Sequence, residues 1–355
     1  MSRFFSKKYE TLIPYTPGEQ PQDRKYLKLN TNESPFPPSE SVVQAVMEES
    51  GRLQLYSDPE CRMLRQKMSE IFGLAPEKIM MVNGSDEALN FAFMAFADEA
   101  HPLAFADITY GFYPVFAELN HIPYTEIPLK EDFSIDIQDY MGIGKTVVIA
   151  NPNAPTGLCL PLSDIEAVIK SNPDQVVIID EAYVDFGGES AISLIDRYDN
   201  LLVVGTFSKS RSMAGARLGF AFGNEKLIAD LNTIRYSTNP YNVNRMTSAA
   251  GIAALADNDY YMEHCKTIQE NRAWTVGQLT RLGFHVIDSR TNFVFAESDR
   301  IDGAALYEKL KEKGILIRHF SKERIQNYNR ITIGTMEEMK AFVEATELIL
   351  KEYGQ

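Results

Sequence analysis

Short apolar runs, rich in β-branched residues, recur through the first two thirds of the chain, and each gives way to a polar loop. Clear examples are residues 79–82, 147–150, 176–179 and 203–204. Continuous apolar runs of this length are typical of parallel strands that are buried on both faces. The pattern therefore predicts an α/β fold whose strands end at polar loops along one edge of a sheet.

The last third of the chain has a different pattern, in which polar helices separate shorter strands. A long helix over 258–282 ends at Gly283, and we expect the change of domain within it. The alternation beyond it does not repeat the first pattern, which predicts a second, α+β unit. Strands are predicted at 285–287, 292–296, 315–318 and 330–333, and further helices at 39–50, 244–257, 302–313 and 336–352.

The loop after the strand that ends at Thr206 carries the first candidate chemistry. Lys209 follows the carboxyl end of that strand, which is where open α/β sheets bind ligands. Most lysines are solvent-exposed surface charges, but Thr206, Ser208 and Arg217 provide groups nearby in the sequence that suit a phosphate. The combination predicts an amine that forms a Schiff base with a phosphorylated aldehyde cofactor.

Pyridoxal 5'-phosphate also needs a buried carboxylate, because its ring accepts electrons only while the ring nitrogen stays protonated. Asp180 meets this need, since it follows four apolar residues of another predicted strand. Tyr183 lies three residues further on, where it could hydrogen-bond the ring hydroxyl from the same turn. Both are candidate catalytic and cofactor-binding residues.

A third strand end, after residue 82, contains a tight turn and the start of a helix. Gly84 permits close approach of the backbone, and Ser85 or Asp86 caps the helix. Exposed amides at a helix N-terminus bind phosphate. An ordinary capped helix would have the same sequence, so this turn indicates a phosphate site only together with the two other strand ends.

Composition and charge limit the classes of partner. The 355 residues are 45% hydrophobic and 24% charged, as in an ordinary globular enzyme with one large and one small domain. A net charge of −14 argues against nucleic acid and anionic membranes, although a few arginines can still bind an anionic substrate.

Three scattered cysteines and five histidines show no metal-ligand spacing, so we predict no metal site. The sparse cysteines, the polar first residues and the lack of a run of ~18 apolar residues lead us to expect a soluble cytoplasmic protein.

The chain resembles the fold type I pyridoxal phosphate aminotransferases, and among them the histidinol-phosphate aminotransferases, from about residue 15 to residue 335. The motifs that carry the resemblance are Asn32-Glu33, Pro155-Thr156-Gly157, Asp180-Glu181-Ala182-Tyr183, Ser208-Lys209 and Arg330-Ile331-Thr332. The resemblance implies an aspartate aminotransferase-like fold, with a mostly parallel seven-stranded sheet in a large cofactor domain of residues 30–260. Residues 1–29 and 261–355 would form the smaller α+β domain.

The same resemblance implies roles around the cofactor. It implies that Tyr110 stacks on the pyridine ring and that Tyr56 reaches the cofactor phosphate of the other subunit, so that a homodimer shares its active sites. The family's asparagine before Pro-Thr-Gly, which bonds the ring hydroxyl, is replaced by Ala154. Either Asn153, one position earlier, or Tyr183 alone is expected to hold that oxygen.

For the substrate, the resemblance points to four residues. Tyr15, in an extended N-terminal arm, and Asn32, at the mouth of the site, would contact the substrate. Arg318 would meet a substrate phosphate, and Arg330 would bind an α-carboxylate. An exposed rim charge is the alternative interpretation of either arginine. Arg211 departs from the family, which commonly has phenylalanine there, and the sequence leaves its direction open.

The implied activity is transamination, in which Lys209 moves the proton between substrate and cofactor and Asp180 keeps the ring nitrogen charged. We expect L-histidinol phosphate and 2-oxoglutarate to give imidazole-acetol phosphate and glutamate in histidine biosynthesis. An aromatic amino acid aminotransferase and a decarboxylase of L-threonine O-3-phosphate are alternatives. A non-catalytic pyridoxal phosphate module is a third.

Overall fold

The structure is a computed structural model and describes residues 2–353. Its α-helices are α1 (Glu40–Ser50), α2 (Arg62–Phe72), α3 (Ser85–Phe96), α4 (Phe112–Leu119), α5 (Leu162–Ser171), α6 (Glu225–Thr238), α7 (Arg245–Ala256), α8 (Asn258–Arg281), α9 (Gly303–Glu312) and α10 (Met336–Tyr353). Its strands are β1 (Leu27–Lys28), β2 (Ile79–Val82), β3 (Leu103–Ala106), β4 (Tyr124–Ile127), β5 (Thr146–Ala150), β6 (Val177–Asp180), β7 (Leu201–Thr206), β8 (Gly219–Gly223), β9 (Phe284–Val286), β10 (Phe293–Ser298), β11 (Ile315–Leu316), β12 (Arg318–His319) and β13 (Asn329–Thr332).

Seven strands form the large sheet, in the order β2-β8-β7-β6-β5-β3-β4. Neighbours from β7 to β4 pair in parallel, whereas β8 runs antiparallel to β2 and β7. Successive residues of a central strand enter two separate cores, with Val148 on one face of the sheet and Ile149 on the other. This burial on both faces explains the continuous apolar runs. The predicted mostly parallel seven-stranded sheet is confirmed.

The C-terminal third builds a second region around an antiparallel sheet of order β12-β13-β10-β9. The strand predicted at 315–318 is corrected, because it divides between two sheets. Ile315–Leu316 pairs in parallel with β1, and Arg318–His319 pairs with β13. Helix α8 passes through residue 260 without interruption. The division into domains of residues 30–260 and of 1–29 plus 261–355 stays a prediction.

Residues 2–353 contain neither a membrane-spanning helix nor a cluster of metal-binding side chains. In that range no helix combines the length and the apolar character that crossing a membrane requires. The same residues contain no group of three or more His, Cys, Asp or Glu side chains arranged to hold a metal ion.

Candidate active site

The predicted cofactor residues meet at one edge of the large sheet. Lys209 follows β7, Asp180 ends β6, Tyr110 follows β3, and the turn at Gly84 follows β2. The strand order changes direction between β3 and β5, and open α/β sheets bind ligands at such a point. A cleft with about 560 Å³ of empty volume opens there, and its lining is Ser85, Asp86, Tyr110, Ala150, Pro152, Ala154, Asp180, Ala182, Tyr183, Thr206, Ser208, Lys209 and Arg217.

Asp180 places a carboxyl group at the base of this cleft. It is 5% exposed, and its oxygens accept hydrogen bonds from the Tyr113 hydroxyl at 2.8 Å and the Ala182 backbone N–H at 3.2 Å. Burial raises the pKa of Asp180 to about 6, because the charged form loses its hydration. Both donors are neutral, so a protonated ring nitrogen would supply the missing positive charge.

Lys209 and Tyr183 offer two donors beside that carboxyl. The Lys209 amine donates to the Thr31 carbonyl at 3.2 Å and lies 5.7 Å from the centre of the Tyr183 ring. The Tyr183 hydroxyl accepts a hydrogen bond from the Asn32 side-chain amide at 2.9 Å. Because Asn32 supplies the hydrogen of that bond, the Tyr183 hydroxyl keeps its own hydrogen for a ligand.

Arg217 and the turn at Gly84 form the part of the cleft that suits a phosphate. Arg217 Nη2 lies 3.0 Å from the Asp86 carboxylate, which also accepts from the Tyr110 hydroxyl at 2.8 Å. Gly84 has φ +80°, and a Cβ there would lie 2.5 Å from Arg217 Nη2, so only glycine fits. The predicted cap by Ser85 or Asp86 is wrong, because Gly84 is the N-cap residue and no side chain caps α3, which leaves the helix N-terminus suited to an anion. The Thr206 and Ser208 hydroxyls, 3.0 Å apart, complete this group.

Arg318 and Arg330 face each other as direct partners in the β12–β13 pair. Like charges in that position repel each other unless an anion lies between or beside them. Arg330 is partly buried, donates to the Asn30 carbonyl at 3.1 Å, and has a buried Nε without a partner among the described residues. Burial lowers the pKa of Arg330. Arg318 instead donates to the carbonyls of Thr16 and Pro17, at 3.2 and 3.3 Å.

An aromatic wall connects the arginines with the cleft. The Tyr15 ring stacks on Phe112 with 4.1 Å between ring centres and lies 6.3 Å from the Tyr110 ring. Burial raises the pKa of Tyr15, and the charges of Arg330 and Arg318 partly oppose this rise. Apolar contact and two cations therefore occur together, as expected where an anionic ligand with a ring binds.

The sequence matches the family model described as "Aminotransferase class I and II" over residues 24–345. The chain belongs to this family. A protein named histidinol-phosphate aminotransferase from Brachyspira hyodysenteriae (strain ATCC 49526 / WA1) is 50% identical over 353 residues, which cover 99% of this chain and 100% of that protein. Another of that name, from Clostridium botulinum (strain Langeland / NCTC 10281 / Type F), is 44% identical over 353 residues, with the same coverage.

Among solved structures, histidinol-phosphate aminotransferase from Sinorhizobium meliloti in complex with pyridoxal-5'-phosphate has a similar fold. Its TM-score is 0.90, its sequence is 24% identical, and the match covers 99% of both chains. The predicted membership of the aminotransferases and the predicted fold are confirmed.

Asn153 and Tyr56, which the sequence places at the cofactor of this aminotransferase, lie outside the cleft lining. Both amide hydrogens of Asn153 are engaged, by the Ile108 carbonyl and the Thr156 hydroxyl, each at 3.0 Å. Of the two alternatives for the ring hydroxyl, Tyr183 alone therefore fits the structure better. Tyr56 is 78% exposed and stacks on Tyr241 with 4.4 Å between ring centres. Its predicted role across a dimer stays a prediction.

Arg211 points away from the cleft, which settles its direction. Its Nη2 donates to the Asn258 side chain at 3.0 Å, and its guanidinium lies 6.0 Å from the Tyr261 ring. Both of these residues belong to the first turn of α8. Arg211 therefore links the lysine loop of the aminotransferase to α8 rather than to a ligand.

Sequence reasoning missed Tyr113 and Glu181. Tyr113 lies in the first turn of α4, three residues after Tyr110, and the centres of the two rings are 5.7 Å apart. Glu181 is buried and accepts from the Ser190 hydroxyl at 2.5 Å and the Ala191 N–H at 2.6 Å. Burial raises the pKa of Glu181 to about 8. No signal in the sequence distinguished this carboxyl from an exposed one.

Proposed function

We propose that this aminotransferase uses pyridoxal 5'-phosphate to transfer the amino group of L-histidinol phosphate to 2-oxoglutarate. The products would be imidazole-acetol phosphate and glutamate, as histidine biosynthesis requires. The observation that carries the proposal is the opposed pair Arg318 and Arg330 beside a cleft that contains Lys209 and Asp180. The full-length relatives named histidinol-phosphate aminotransferase support the same substrate.

The residues of the cleft fit the cofactor group by group. Lys209 offers an amine for the aldehyde, the Asp180 carboxyl suits the ring nitrogen, and the Tyr183 hydroxyl suits the ring oxygen. Arg217 and the open N-terminus of α3 suit the phosphate. When bound, pyridoxal phosphate supplies an electron sink for the carbanion formed at the substrate Cα.

The chain itself would supply proton transfer and orientation. Lys209, oriented by its hydrogen bond to the Thr31 carbonyl, would take the proton from the substrate Cα as general base and deliver it as general acid to C4′ of the cofactor. Asp180, held by the Tyr113 hydroxyl, would keep its charge directed at the ring nitrogen. Asp180 ends β6 and Lys209 follows β7 in the same parallel pair, which places both groups at one edge of the sheet.

The two arginines would serve different substrates. L-Histidinol phosphate has a phosphate but no α-carboxylate, so we assign its phosphate to Arg318. The partly buried Arg330, whose buried Nε has no partner among residues 2–353, suits the α-carboxylate of glutamate or 2-oxoglutarate. The wall of Tyr15 and Phe112 would contact the imidazole ring.

That aromatic wall also favours a second candidate, an aromatic amino acid aminotransferase. A phenyl ring would make the same apolar contacts, and Arg330 would bind the carboxylate of the amino acid. The arginine at 318 argues for the phosphorylated substrate, because an aromatic amino acid offers it no anion.

A half-reaction distinguishes these candidates. The purified protein, loaded with pyridoxal phosphate, is mixed separately with L-histidinol phosphate, glutamate, phenylalanine and L-threonine O-3-phosphate, while visible absorbance is followed. We expect bleaching with the first two alone. Comparable bleaching by phenylalanine would indicate the aromatic enzyme, and carbon dioxide release from threonine phosphate a decarboxylase. If no visible band forms on loading, the assignment of Lys209 is wrong.

We also propose a homodimer with shared active sites in the cytoplasm. Large apolar side chains are exposed close together in the sequence around α1 and α2, namely Val43, Met47, Leu53, Leu55, Tyr56 and Met63. Exposed apolar patches of this kind mark protein interfaces, and a second copy of the chain would cover them. The three unpaired cysteines support a reducing compartment.

A further inference from the structure

Arg272 is a buried cation that the proposed chemistry does not use. It lies in α8, is 8% exposed, and donates both hydrogens of Nη1 to backbone carbonyls. One acceptor is Phe186 at 3.0 Å, and the other is Thr291. Burial lowers the pKa of Arg272 to about 10. The charge of Arg290 also lowers this pKa, and the charge of Asp288 raises it. Neutral carbonyls stabilise a guanidinium less than a carboxylate would, so stability alone gives little reason for a cation at this position.

Hydrogen bonds and neighbouring residues connect both carbonyl acceptors with Tyr183. On one side, the Phe186 N–H donates to the Tyr183 carbonyl at 3.1 Å. On the other, Asn292, which follows Thr291, donates its side-chain amide to the Asn32 carbonyl at 2.9 Å. The Asn32 side-chain amide then donates to the Tyr183 hydroxyl at 2.9 Å. We call this closed path the Arg272 ring, with the members Arg272, Phe186, Tyr183, Asn32, Asn292 and Thr291.

We propose that Arg272 is a positioning residue that fixes the direction of the Tyr183 hydroxyl toward the ligand in the cleft. The ring holds the backbone of Tyr183 at one end and its hydroxyl at the other. Asn32 occupies a lone pair of that hydroxyl, which directs its hydrogen away from Asn32.

The requirement for such positioning comes from the cleft itself. Residue 154 is alanine, and Asn153 has no free amide hydrogen, so neither can bond the oxygen that Tyr183 would meet. A single donor loses its effect when its direction changes, since hydrogen bonds weaken steeply away from linearity. The inference rests on the proposed function, because it takes that oxygen to be the ring oxygen of pyridoxal phosphate.

Two substitutions open the ring at different points. Arg272→Met removes the cation and both of its bonds, and Arg272→Lys keeps the charge. Asn292→Ala removes a single side-chain bond, because Asn292 Oδ1 has no partner among residues 2–353. The matched control is Asn271→Ala, which removes a buried amide that donates to the Gly334 carbonyl from the neighbouring position of α8, outside the ring.

The decisive readout is the pH midpoint of the visible band of the lysine-bound cofactor. A donor to the ring oxygen stabilises its negative charge, so loss of the donor moves the midpoint to higher pH. We expect a rise of about 0.5–1 pH unit in Arg272→Met, Asn292→Ala and Tyr183→Phe. Arg272→Met combined with Tyr183→Phe should give no further rise, because both remove the same effect. Arg272→Lys should show a smaller rise in the midpoint than Arg272→Met, and the Asn271→Ala control should keep the wild-type midpoint.

A second readout uses the cofactor-free protein. Amide hydrogen exchange at Phe186 should accelerate in Arg272→Met and Asn292→Ala but not in Asn271→Ala, since only the first two open the ring. Wild-type midpoints in both ring variants, with only a lower melting temperature, would show that Arg272 is merely structural. If the wild-type protein forms no band at all, the proposed function fails separately. Unchanged amide exchange at Phe186 in Arg272→Met and Asn292→Ala would then contradict the Arg272 ring as well.

Discussion

At the scale of single residues, burial of the Asp180 carboxyl, which the proposed chemistry needs, lowers the stability of the folded chain. The group is buried among neutral donors, and its pKa rises from 3.8 to about 6. The folded chain therefore holds this proton more tightly than the unfolded chain. As a consequence, the folded state loses stability as the pH rises from about 4 to about 6, and the loss is complete above that range.

Asp180→Asn should remove this loss. Without cofactor at pH 7.5, we expect the variant to unfold at a higher temperature, with a gain of about 1–3 kcal/mol in the free energy of unfolding. The gain should shrink as the pH falls toward 4 and vanish below about pH 3, where the wild-type carboxyl is protonated in both states. Thermal unfolding of the cofactor-free proteins between pH 4 and pH 8 measures it. Activity should fall at the same time, since the amide cannot neutralise a pyridinium.

The exposed Asp185 provides the control for that experiment. Asp185→Asn changes the net charge by the same amount and lies in the same segment, but it removes no buried carboxyl. It should therefore leave both the stability and its pH dependence close to the wild type. An Asp180→Asn protein no more stable than the wild type at pH 7.5 would contradict the unfavourable burial.

The residues predictable from the sequence were those that end a strand. Lys209 and Asp180 follow apolar runs, and the carboxyl ends of parallel strands share one edge, so their proximity needed no knowledge of packing. The contact of Tyr113 with Asp180 depends instead on β3 lying two strands from β6, which a local pattern does not contain. The position of Asn153 in the chain made it one of two alternatives, but the bonds of its amide depend on how the loop folds.

At the scale of elements, the short strand β12 connects the substrate arginine with the N-terminal arm. Arg318 donates to the carbonyls of Thr16 and Pro17, one and two residues after Tyr15. A substrate phosphate would compete for the same guanidinium. The arm and the substrate are therefore coupled through one side chain.

Arg318→Ala should weaken the phosphorylated substrate selectively. Loss of a charge-assisted contact should raise KM for L-histidinol phosphate about 10–150-fold, while KM for glutamate changes much less. Steady-state kinetics with each amino donor measure the difference. The control is Arg324→Ala, which removes a neighbouring arginine that binds Asp107 and the Lys130 carbonyl instead. Equal losses with both donors would assign Arg318 a structural role.

The same strand shows where the prediction of elements failed. Residues 315–318 form one apolar run followed by an arginine, and a single strand was the natural interpretation. In the structure the run serves two sheets, because β11 pairs with β1 from the other end of the chain. Pairing between segments almost 290 residues apart leaves no trace in local periodicity.

At the scale of the whole molecule, the exposed apolar side chains indicate a surface that a single chain leaves uncovered. Val43, Met47, Leu55 and Tyr56 are all about half exposed or more, whereas α2, which follows them, buries Leu64 and Met68. The sequence predicted a shared site only through the resemblance at Tyr56. Burial by a second copy cannot be read from apolar residues that are scattered along the chain.

Pairs of inactive variants should reveal whether the active sites are shared. In a mixed dimer of Lys209→Ala and Tyr56→Ala chains, one site would combine an intact Lys209 with the intact Tyr56 of the other subunit. Random pairing makes half of the dimers mixed, so co-expression should recover about one quarter of the wild-type activity. Lys209→Ala with Asp180→Asn is the matched control, because these residues belong to one chain's cleft and no mixed dimer has a complete site. Equal activity from both mixtures would mean that Tyr56 serves its own subunit, and the shared site would have to be abandoned.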